Sequence, residues 1–322
     1  MNNKQKYIEF CKTEKAIPIF SKPFWLDAVC GEDGWDVILV EKGGEIFASI
    51  PYVKPTVRHS LTYSTMPKLT QKLGPYIKYP NGQKYEAKLA YEKKIVKEII
   101  ELLPEVDYFS QNFNLTVTNW LPWYWAKFSQ TTRYSYRIPY TVNFSNVVKN
   151  FSRNNRQLFN KKEHNINIVH NLTTEEFYNT CKKTFDRQNL PIPYSLDLVK
   201  RIFKACNENN AGLAFFAIGE NGDIHSVSYE IWDDNTVYSL FGGADTKLRS
   251  QGGKNYIMFN AIKFAMDTGK DFDFEGSMIE PIENFYRQFG AIQTPYFQIT
   301  KLSRKARILY GLKNLAKDII KG

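Results

Sequence analysis

The sequence predicts an α+β protein of two domains, each with a mixed, mostly antiparallel sheet flanked by helices. First, 322 residues are enough for two hydrophobic cores of ordinary size. Second, 43% of the residues are hydrophobic, 15% aromatic and 24% charged, which is typical of a globular chain rather than a disordered one. Third, apolar residues recur with the periods of strands and of helices along the whole chain.

The first half of the chain predicts a hairpin, a long helix and further strands. Segments 35–41 and 46–52 flank two glycines and predict the hairpin. Segment 85–103 has apolar residues on one face and lysines and glutamates on the other, so it predicts an amphipathic helix. Segments 106–113 and 123–128 are predicted strands. Residues 119–140 are dense in Trp and Tyr and form either a stacking surface for a base or a sugar or, as we favour, strands packed between two domains.

The second half has a more regular order of elements. After a boundary near residues 143–150, residues 165–300 predict a strand, two helices, three strands, a helix, a strand, a short helix and a strand. A capping box that begins at Thr173 and includes Glu176 opens the first of these helices. Turn sequences at 220–223 and 233–235 join the three strands. The first half has a shorter, less regular version of this order.

The chain is basic, with a formal net charge of +10. This charge favours a polyanionic partner such as RNA, anionic lipid or a phosphate-bearing substrate. A basic helix begins near residue 151, and it carries cations about one turn apart. These cations either hold a phosphate chain or form a solvated helix face, which is the commoner outcome. They are Arg153, Arg156, Lys161 and Lys162.

Residues 236–291 contain the strongest indications of a functional site. A strand, a basic loop with glycines, a helix, a strand and a short helix follow one another, an order that presents backbone N–H groups to a phosphate or an acyl carbonyl. Glu275 ends the predicted strand 271–275 and is the first candidate for binding or deprotonating an amine. Asp273 either binds substrate or, more commonly, is a buried hydrogen-bond partner. Glu230, in an apolar strand, is either a member of a structural ion pair or a second base.

The sequence FDFEGSMIEPIENFYRQFGA (272–291), followed by PYFQITK (295–301), resembles the C-terminal half of FemABX-like proteins in the GNAT acyltransferase superfamily. In the first half, SIPYVK and the later MPKLTQKLGPYI resemble the N-terminal half of such proteins. The resemblance covers residues 15–301 and implies two GNAT-like domains in tandem. We therefore predict an N-terminal domain at 1–145 and a C-terminal domain at 146–301. The tail, 302–322, is predicted to be a basic amphipathic helix that either lies on an anionic membrane or docks on its own domain.

The resemblance also implies a donor-binding loop. The superfamily's pyrophosphate loop has the pattern Arg/Gln-x-x-Gly-x-Gly/Ala, which Arg249, Gly252 and Gly253 match in part. Lys254 stands where a small residue is usual, and this departure counts against CoA as the donor. These four residues and Asn255 are predicted to bind the donor. We expect Gly253→Asp to weaken donor binding and to leave the fold intact.

Further site residues follow from the end of the motif. Tyr286 occupies the tyrosine position of the GNAT end motif, where it would protonate the leaving group; alternatively, it fills the interface between helix and sheet. Arg287 either meets a phosphate or caps its helix. The residues predicted to contact substrate are Asp273, Ser277, Arg287, Arg153 and Arg156.

The resemblance implies an acyltransferase or aminoacyltransferase that moves an acyl group from a thioester or a tRNA ester onto an amine of a cell-envelope precursor or an amino sugar. The donor substrate is acyl-CoA or aminoacyl-tRNA, and no cofactor is expected to be bound permanently. The acceptor is a small or a lipid-linked molecule, and tRNA and an anionic membrane are further candidate partners. The alternative is a non-catalytic GNAT-fold protein that binds a polyanion, either nucleic acid or an anionic membrane surface.

The spacing of the cysteines and the length of the apolar runs indicate where in the cell the protein is expected. The four cysteines contain no CxxC pair and the four histidines are isolated, so neither a disulfide framework nor a metal site is expected. No apolar run is long enough to span a bilayer, and the first residues lack the apolar core of a signal peptide. The expected location is cytoplasmic, either free or peripheral at the inner face of the membrane.

Overall fold

The computed structural model describes residues 1–161, 165–248 and 251–310. The chain forms two compact units. The first unit combines Met1–Arg133 with the segment that begins at Pro295, and the second is Tyr134–Thr294. These limits differ from the predicted domain limits, 1–145 and 146–301, which stay a prediction. The predicted positions at Lys162, Arg249 and 311–322 lie outside the described residues.

The first unit has two groups of strands packed with helices. The strand order is β1–β2–β5 in one group and β3–β4–β6–β13 in the other. Only β4 and β6 run parallel among the pairs described for this unit. In chain order, its elements are α1 (Asn3–Thr13), α2 (Pro23–Cys30), β1 (Trp35–Lys42), β2 (Glu45–Val53), β3 (Thr56–Arg58), β4 (Leu61–Ser64), β5 (Tyr76–Ile77), α3 (Tyr85–Leu102), β6 (Tyr108–Asn112), α4 (Leu121–Trp125) and, after the second unit, β13 (Ile292–Leu302).

The second unit is built on a sheet that β7 (Ser129–Ile138) enters from the first unit along the chain. The strand order is β7–β12–β11–β10–β9–β8, and all described pairs are antiparallel except β11 with β12. Its other elements are α5 (Phe144–Asn150), α6 (Arg153–Phe159), β8 (Ile166–Val169), α7 (Thr174–Asp186), α8 (Leu196–Glu208), β9 (Gly212–Gly219), β10 (Ile224–Trp232), β11 (Thr236–Ala244), α9 (Gly253–Asp267), β12 (Asp271–Asp273) and α10 (Glu280–Arg287).

Helices cover both faces of the second unit's sheet. Alternate residues of β9 point to opposite faces. Phe216 meets Phe177 of α7, with ring centroids 5.9 Å apart, whereas Ala217 faces the start of α9. Each unit also has its own cluster of buried apolar residues. Mixed, mostly antiparallel sheets between helices therefore confirm the predicted fold class.

Local predictions agree with the structure in most segments. The capping box at Thr173 is formed, because its side chain accepts a hydrogen bond from the Glu176 N–H and the Glu176 side chain accepts one from the Thr173 N–H. The predicted strand at 123–128 is wrong, since α4 occupies Leu121–Trp125. Proline in the first turn of α4 favours the helix. The predicted strand at 271–275 ends early, at Asp273, and the backbone becomes left-handed at Glu275 and Gly276.

Candidate active site

A fully buried carboxyl lies on a central strand of the second unit's sheet. Glu230 on β10 has no exposed surface (0%). Its Oε1 accepts hydrogen bonds from the hydroxyls of Ser228, at 2.5 Å, and Ser239, at 3.3 Å. No partner for Oε2 is found among the described residues. Burial raises the pKa of Glu230 from 4.5 to about 8, and the two serine hydroxyls oppose this rise. The carboxyl can therefore exchange a proton close to neutral pH.

A β-bulge places Ser239 opposite Glu230. Between β10 and β11, Tyr229 pairs with Phe241, but the next residue, Glu230, pairs with Ser239. Leu240 is therefore the extra residue on β11. Bulges bend a strand, redirect its side chains and are common beside active sites. Without this bulge, the Ser239 hydroxyl would not stand opposite the Glu230 carboxyl.

A second buried carboxyl, that of Asp273, stands at the end of β12. Its Oδ1 accepts hydrogen bonds from the Ser135 hydroxyl and from the backbone N–H of Glu275, the latter at 2.8 Å. Its Oδ2 lies 3.7 Å from Nε of Arg137, and Nη2 of the same arginine lies 2.9 Å from Oδ2 of Asp271. Asp273 thus has the hydrogen-bonding role that was one of its two predicted roles. Its contact with substrate stays a prediction.

The chain leaves β12 through two residues in left-handed conformation. Glu275 has a φ of +61° and Gly276 a φ of +66°. A left-handed residue with a Cβ costs about 1–2 kcal/mol, and such strained residues cluster at functional sites. Only glycine fits at position 276, because an added Cβ would lie 2.0 Å from the Tyr134 carbonyl oxygen. Glu275 is only 4% exposed, so its carboxylate is held inside the unit.

Tyr286 on α10 lies in the electrostatic field of these carboxyl groups. Burial raises the pKa of its phenol, and the negative charges of Glu230, Glu275 and Asp273 raise the pKa further. The Tyr286 ring also packs on Phe274, with centroids 5.0 Å apart. The structure therefore brings together the three predicted catalytic residues. The phenol stays protonated at neutral pH, so it is available as a donor.

Hydrogen bonds tie α10 to β7. The Tyr136 hydroxyl donates to Oε1 of Glu283, at 2.7 Å, and accepts a hydrogen bond from Nε2 of Gln293, also at 2.7 Å. Glu283 precedes Tyr286 by nearly one helical turn. The Tyr136 contact therefore fixes the part of α10 that carries Tyr286.

The predicted donor loop leads into α9. Gly252 is the left-handed N-cap residue (φ +75°), and Gly253 is the first residue of the helix. A Cβ added to Gly253 would lie 2.8 Å from the His225 Cβ, so the expectation that Gly253→Asp leaves the fold intact is wrong. Two buried atoms beside Gly253, Nδ1 of His225 and Oγ of Ser226, have no hydrogen-bond partner in the described part of the chain. These polar atoms were not predicted.

Lys254 and Asn255 follow at the start of α9 and have contacts inside the second unit. Nζ of Lys254 lies 4.2 Å from the ring centroid of Phe285, a cation–π contact. Nδ2 of Asn255 donates to Oδ1 of Asn155, at 2.9 Å. Their binding to a donor stays a prediction. The first N–H groups of α9 lack partners within the helix, as at any helix N-terminus, and suit an anion.

The predicted substrate ligands outside the sheet have local contacts. The Arg156 guanidinium donates to backbone carbonyls at the end of α5, whereas Arg153 is exposed. Ser277 Oγ accepts a backbone N–H two residues further on, at 3.0 Å. Nε of Arg287 lies 3.4 Å from Oε1 of Glu283. Neither Arg153 nor Arg156 is among the described contacts of the Glu230, Asp273 and Glu275 carboxyl groups.

The partners of the carboxyl groups were missed by sequence reasoning. Ser228 could have been found, because residues two apart in a strand share a face and Ser228 precedes Glu230 by two. Ser135 and Arg137 reach Asp273 through the pairing of β7 with β12, which no local pattern indicates. The contact of Ser239 with Glu230 depends on the bulge, which no local pattern indicates either.

Comparisons with known proteins bear on the fold of the chain. Residues 145–278 match the model of an acetyltransferase (GNAT) domain. The crystal structure of FemX superimposes with a TM-score of 0.70 over 97% of this chain and 98% of that chain, at 14% identity. The chain therefore shares the fold of FemX. L-PGS from Bacillus licheniformis has a TM-score of 0.51 at 10% identity, covering 98% of this chain and 96% of its own.

A protein of unknown function from Bacteroides thetaiotaomicron has a similar fold, with a TM-score of 0.55, 13% identity and coverage of 94% of this chain and 97% of the other. A search of curated proteins found no sequence match. The GNAT match includes Glu230, Asp273 and Glu275 and stops before Tyr286. The match to the GNAT domain model supports acyl transfer in general terms. Within the described residues, no helix is both long and apolar enough to cross a membrane.

Proposed function

We propose that the protein is an N-acyltransferase that moves an acyl or aminoacyl group onto an amine. The acceptor would be a cell-envelope precursor, small or lipid-linked, or an amino sugar. The donor would be an acyl-CoA thioester or an aminoacyl-tRNA ester. The observation that carries the proposal is the buried Glu230 carboxyl, whose Oε2 has no hydrogen-bond partner in the described chain, set beside Tyr286 in a GNAT domain.

Glu230 suits the removal of a proton from an incoming ammonium group. An ordinary carboxylate, with a pKa near 4.5, is too weak a base to accept that proton readily. Burial raises the pKa of Glu230 to about 8, which is closer to the pKa of an alkylammonium group. A general base works best when its pKa lies near the working pH. Glu275 and Asp273 add negative charge nearby, which favours the ammonium form of the acceptor as it binds.

The transfer itself needs no covalent enzyme intermediate. The lone pair of the freed amine forms a bond to the donor carbonyl carbon, and the carbonyl oxygen takes up negative charge. Collapse of this intermediate breaks the bond from carbon to sulfur or to the ribose oxygen. Tyr286 donates its phenolic proton to the leaving atom, and the amide nitrogen loses its second proton to solvent, because Glu230 already holds the first. Solvent then takes the proton from Glu230 and returns one to the Tyr286 phenolate. The raised pKa of Tyr286 keeps the phenol protonated until that step.

The start of α9 would bind the negative part of the donor. Exposed N–H groups of a helix N-terminus attract phosphate. The unpartnered Nδ1 of His225 and Oγ of Ser226, both buried beside Gly253, supply polar atoms at the same place. Ser226→Ala is therefore a better probe of donor binding than Gly253→Asp, because it removes one oxygen without adding atoms.

The test is a transfer assay with a panel of acyl-CoA and aminoacyl-tRNA donors and of amine acceptors. With the pair that reacts, Glu230→Gln should lower turnover about 10²–10⁴-fold, the usual contribution of a general base. Tyr286→Phe should lower it less with a thioester than with a tRNA ester, because a thiolate leaves without a proton more readily than an alkoxide. The matched control is Glu220→Gln, in an exposed turn, which should retain full turnover.

Two outcomes would contradict the proposal. Full turnover by Glu230→Gln would remove Glu230 from the chemistry. Binding of a polyanion without transfer from any donor would favour the alternative, a non-catalytic GNAT-fold protein. Ligand binding is measured separately by thermal shift, because a ligand that binds the native state raises the melting temperature.

A further inference from the structure

The short helix α4, in the first unit, presents large apolar side chains to solvent. Leu121, Tyr124 and Trp125 are 49%, 56% and 52% exposed. The opposite side of α4 is inside the unit, where Trp123 is fully buried between Phe113 and Phe128. We call the three exposed residues the α4 surface. Exposed apolar side chains that adjoin one another commonly mark an interaction site.

Lys93 contacts the α4 surface, and Lys97 and Lys127 follow nearby, on α3 and just after α4. Nζ of Lys93, on α3, lies 5.1 Å from the ring centroid of Trp125. Lys97 lies one turn further along the same face of α3, and its Nζ is 3.8 Å from the exposed carboxylate of Glu101. Lys127 follows α4 by two residues and is exposed. Its backbone N–H donates to the Tyr124 carbonyl, at 2.9 Å, so Lys127 is fixed beside the end of the helix.

We propose that the α4 surface docks the protein onto an anionic lipid bilayer. Trp and Tyr favour the boundary between headgroups and acyl chains, because their rings are apolar and each carries a polar atom. Lysines can lay their stems along that boundary and keep the ammonium group among anionic headgroups. The net charge of +10 adds attraction at longer range. The occupant is thus an anionic lipid surface rather than an apolar protein groove, which would not need the lysines.

This surface is independent of the predicted basic tail and of the proposed acyl transfer. All its residues belong to the first unit, whereas Glu230, Asp273, Glu275 and Tyr286 belong to the second. Variants of the α4 surface can therefore be tested for lipid binding in the full chain, whatever reaction the protein catalyses.

The experiment is co-sedimentation of the full chain with large unilamellar vesicles. Vesicles of phosphatidylcholine alone are compared with vesicles that contain about one-third phosphatidylglycerol. The natural chain should bind the anionic vesicles and lose binding as salt is raised. Tyr124→Ser combined with Trp125→Ser should weaken binding at least about tenfold, because the inserted apolar area is lost. Lys93→Gln combined with Lys97→Gln should weaken it by about fivefold for each lysine.

Matched controls change the same kinds of residue elsewhere. Tyr140→Ser with Leu190→Ser removes two side chains that are each 52% exposed in the second unit. Lys182→Gln with Lys204→Gln removes two exposed lysines that, like Lys97, face a carboxylate one turn away. Both control pairs should bind vesicles nearly as the natural chain does. Circular dichroism is used to check that every variant is folded.

Three results would overturn the proposal. The first is equal sedimentation of the natural chain with and without anionic lipid. The second is unchanged binding by the folded Tyr124→Ser/Trp125→Ser variant, which would assign lipid binding to another part of the chain. The third is a natural chain that is dimeric in solution and becomes monomeric in this variant. That result would show that a second copy covers the α4 surface.

Discussion

Replacing Glu230 by glutamine should change how the folding stability depends on pH. The pKa of this carboxyl is about 8 in the folded protein, because burial disfavours the charged form, and 4.5 is its ordinary value. Between these pH values the folded chain holds a proton on Glu230 that the unfolded chain has lost. The free energy of unfolding should therefore fall as pH rises through this window. Below pH 4.5 both states are protonated and the effect disappears.

The size of the effect follows from the shift. Each pKa unit corresponds to about 1.4 kcal/mol, so a shift from 4.5 to about 8 is worth at most about 5 kcal/mol. Between pH 5 and pH 8.5, the natural chain should lose up to about 4 kcal/mol from this group alone. Glutamine remains neutral and can still accept the hydrogen bonds of Ser228 and Ser239 through Oε1. Glu230→Gln should therefore gain stability over the natural chain as pH rises.

The assay is urea unfolding of both proteins at pH 5, 7 and 8.5, followed by tryptophan fluorescence and by circular dichroism. Glu220→Gln is the control, because its carboxyl lies in an exposed turn and should leave the pH dependence unchanged. Parallel stability curves for the natural chain and Glu230→Gln would refute the reasoning. They would mean that Glu230 keeps an ordinary pKa in the folded protein, and the case for Glu230 as a base would fall with it.

Other predictions concern the loop after β12 and the placement of α10. Gly276→Ala should cost about 1–3 kcal/mol more than Gly269→Ala in urea unfolding, because both residues have positive φ but only Gly276 lacks space for a Cβ. Equal losses would show that the chain after β12 can shift. Tyr136→Phe should lower stability by about 1–3 kcal/mol, because Glu283 and Gln293 lose their shared partner. It should also lower turnover, since Tyr286 is less well placed; a variant with normal turnover would remove this positioning role.

Much of the fold follows from local patterns in the sequence. The capping box at Thr173, the three strands from Gly212 to Ala244 and the amphipathic helix α3 are each determined by periodicity and turn residues within a few positions. Such signals are local, so one sequence is enough to find them. Helix α4 was missed because its aromatic residues favour a strand, while Pro122 and the burial of Trp123 favour a helical turn.

The carboxyl groups of the candidate site were predicted from the sequence. Their burial and their hydrogen-bond partners were not. Glu230 was identified because a carboxylate in an apolar strand is unusual. Its high pKa depends on the degree of burial, and its contact with Ser239 depends on a bulge between β10 and β11. Asp273 depends in the same way on the pairing of β12 with β7. These features are consequences of tertiary packing, and the spacing of residues along the chain does not predict them.

The division of the first unit along the chain has a consequence for biosynthesis. Strand β6 is translated early, but its antiparallel partner β13 follows the whole second unit, and Ile299 pairs with Gln111. At roughly 5–20 residues per second, a ribosome would make β13 on the order of 10–40 s after β6. During that interval β6 presents an unpaired edge, to which a chaperone or another nascent chain could bind. The second unit is continuous in the chain, so it can fold on the ribosome before β13 is translated. The first unit is incomplete until then.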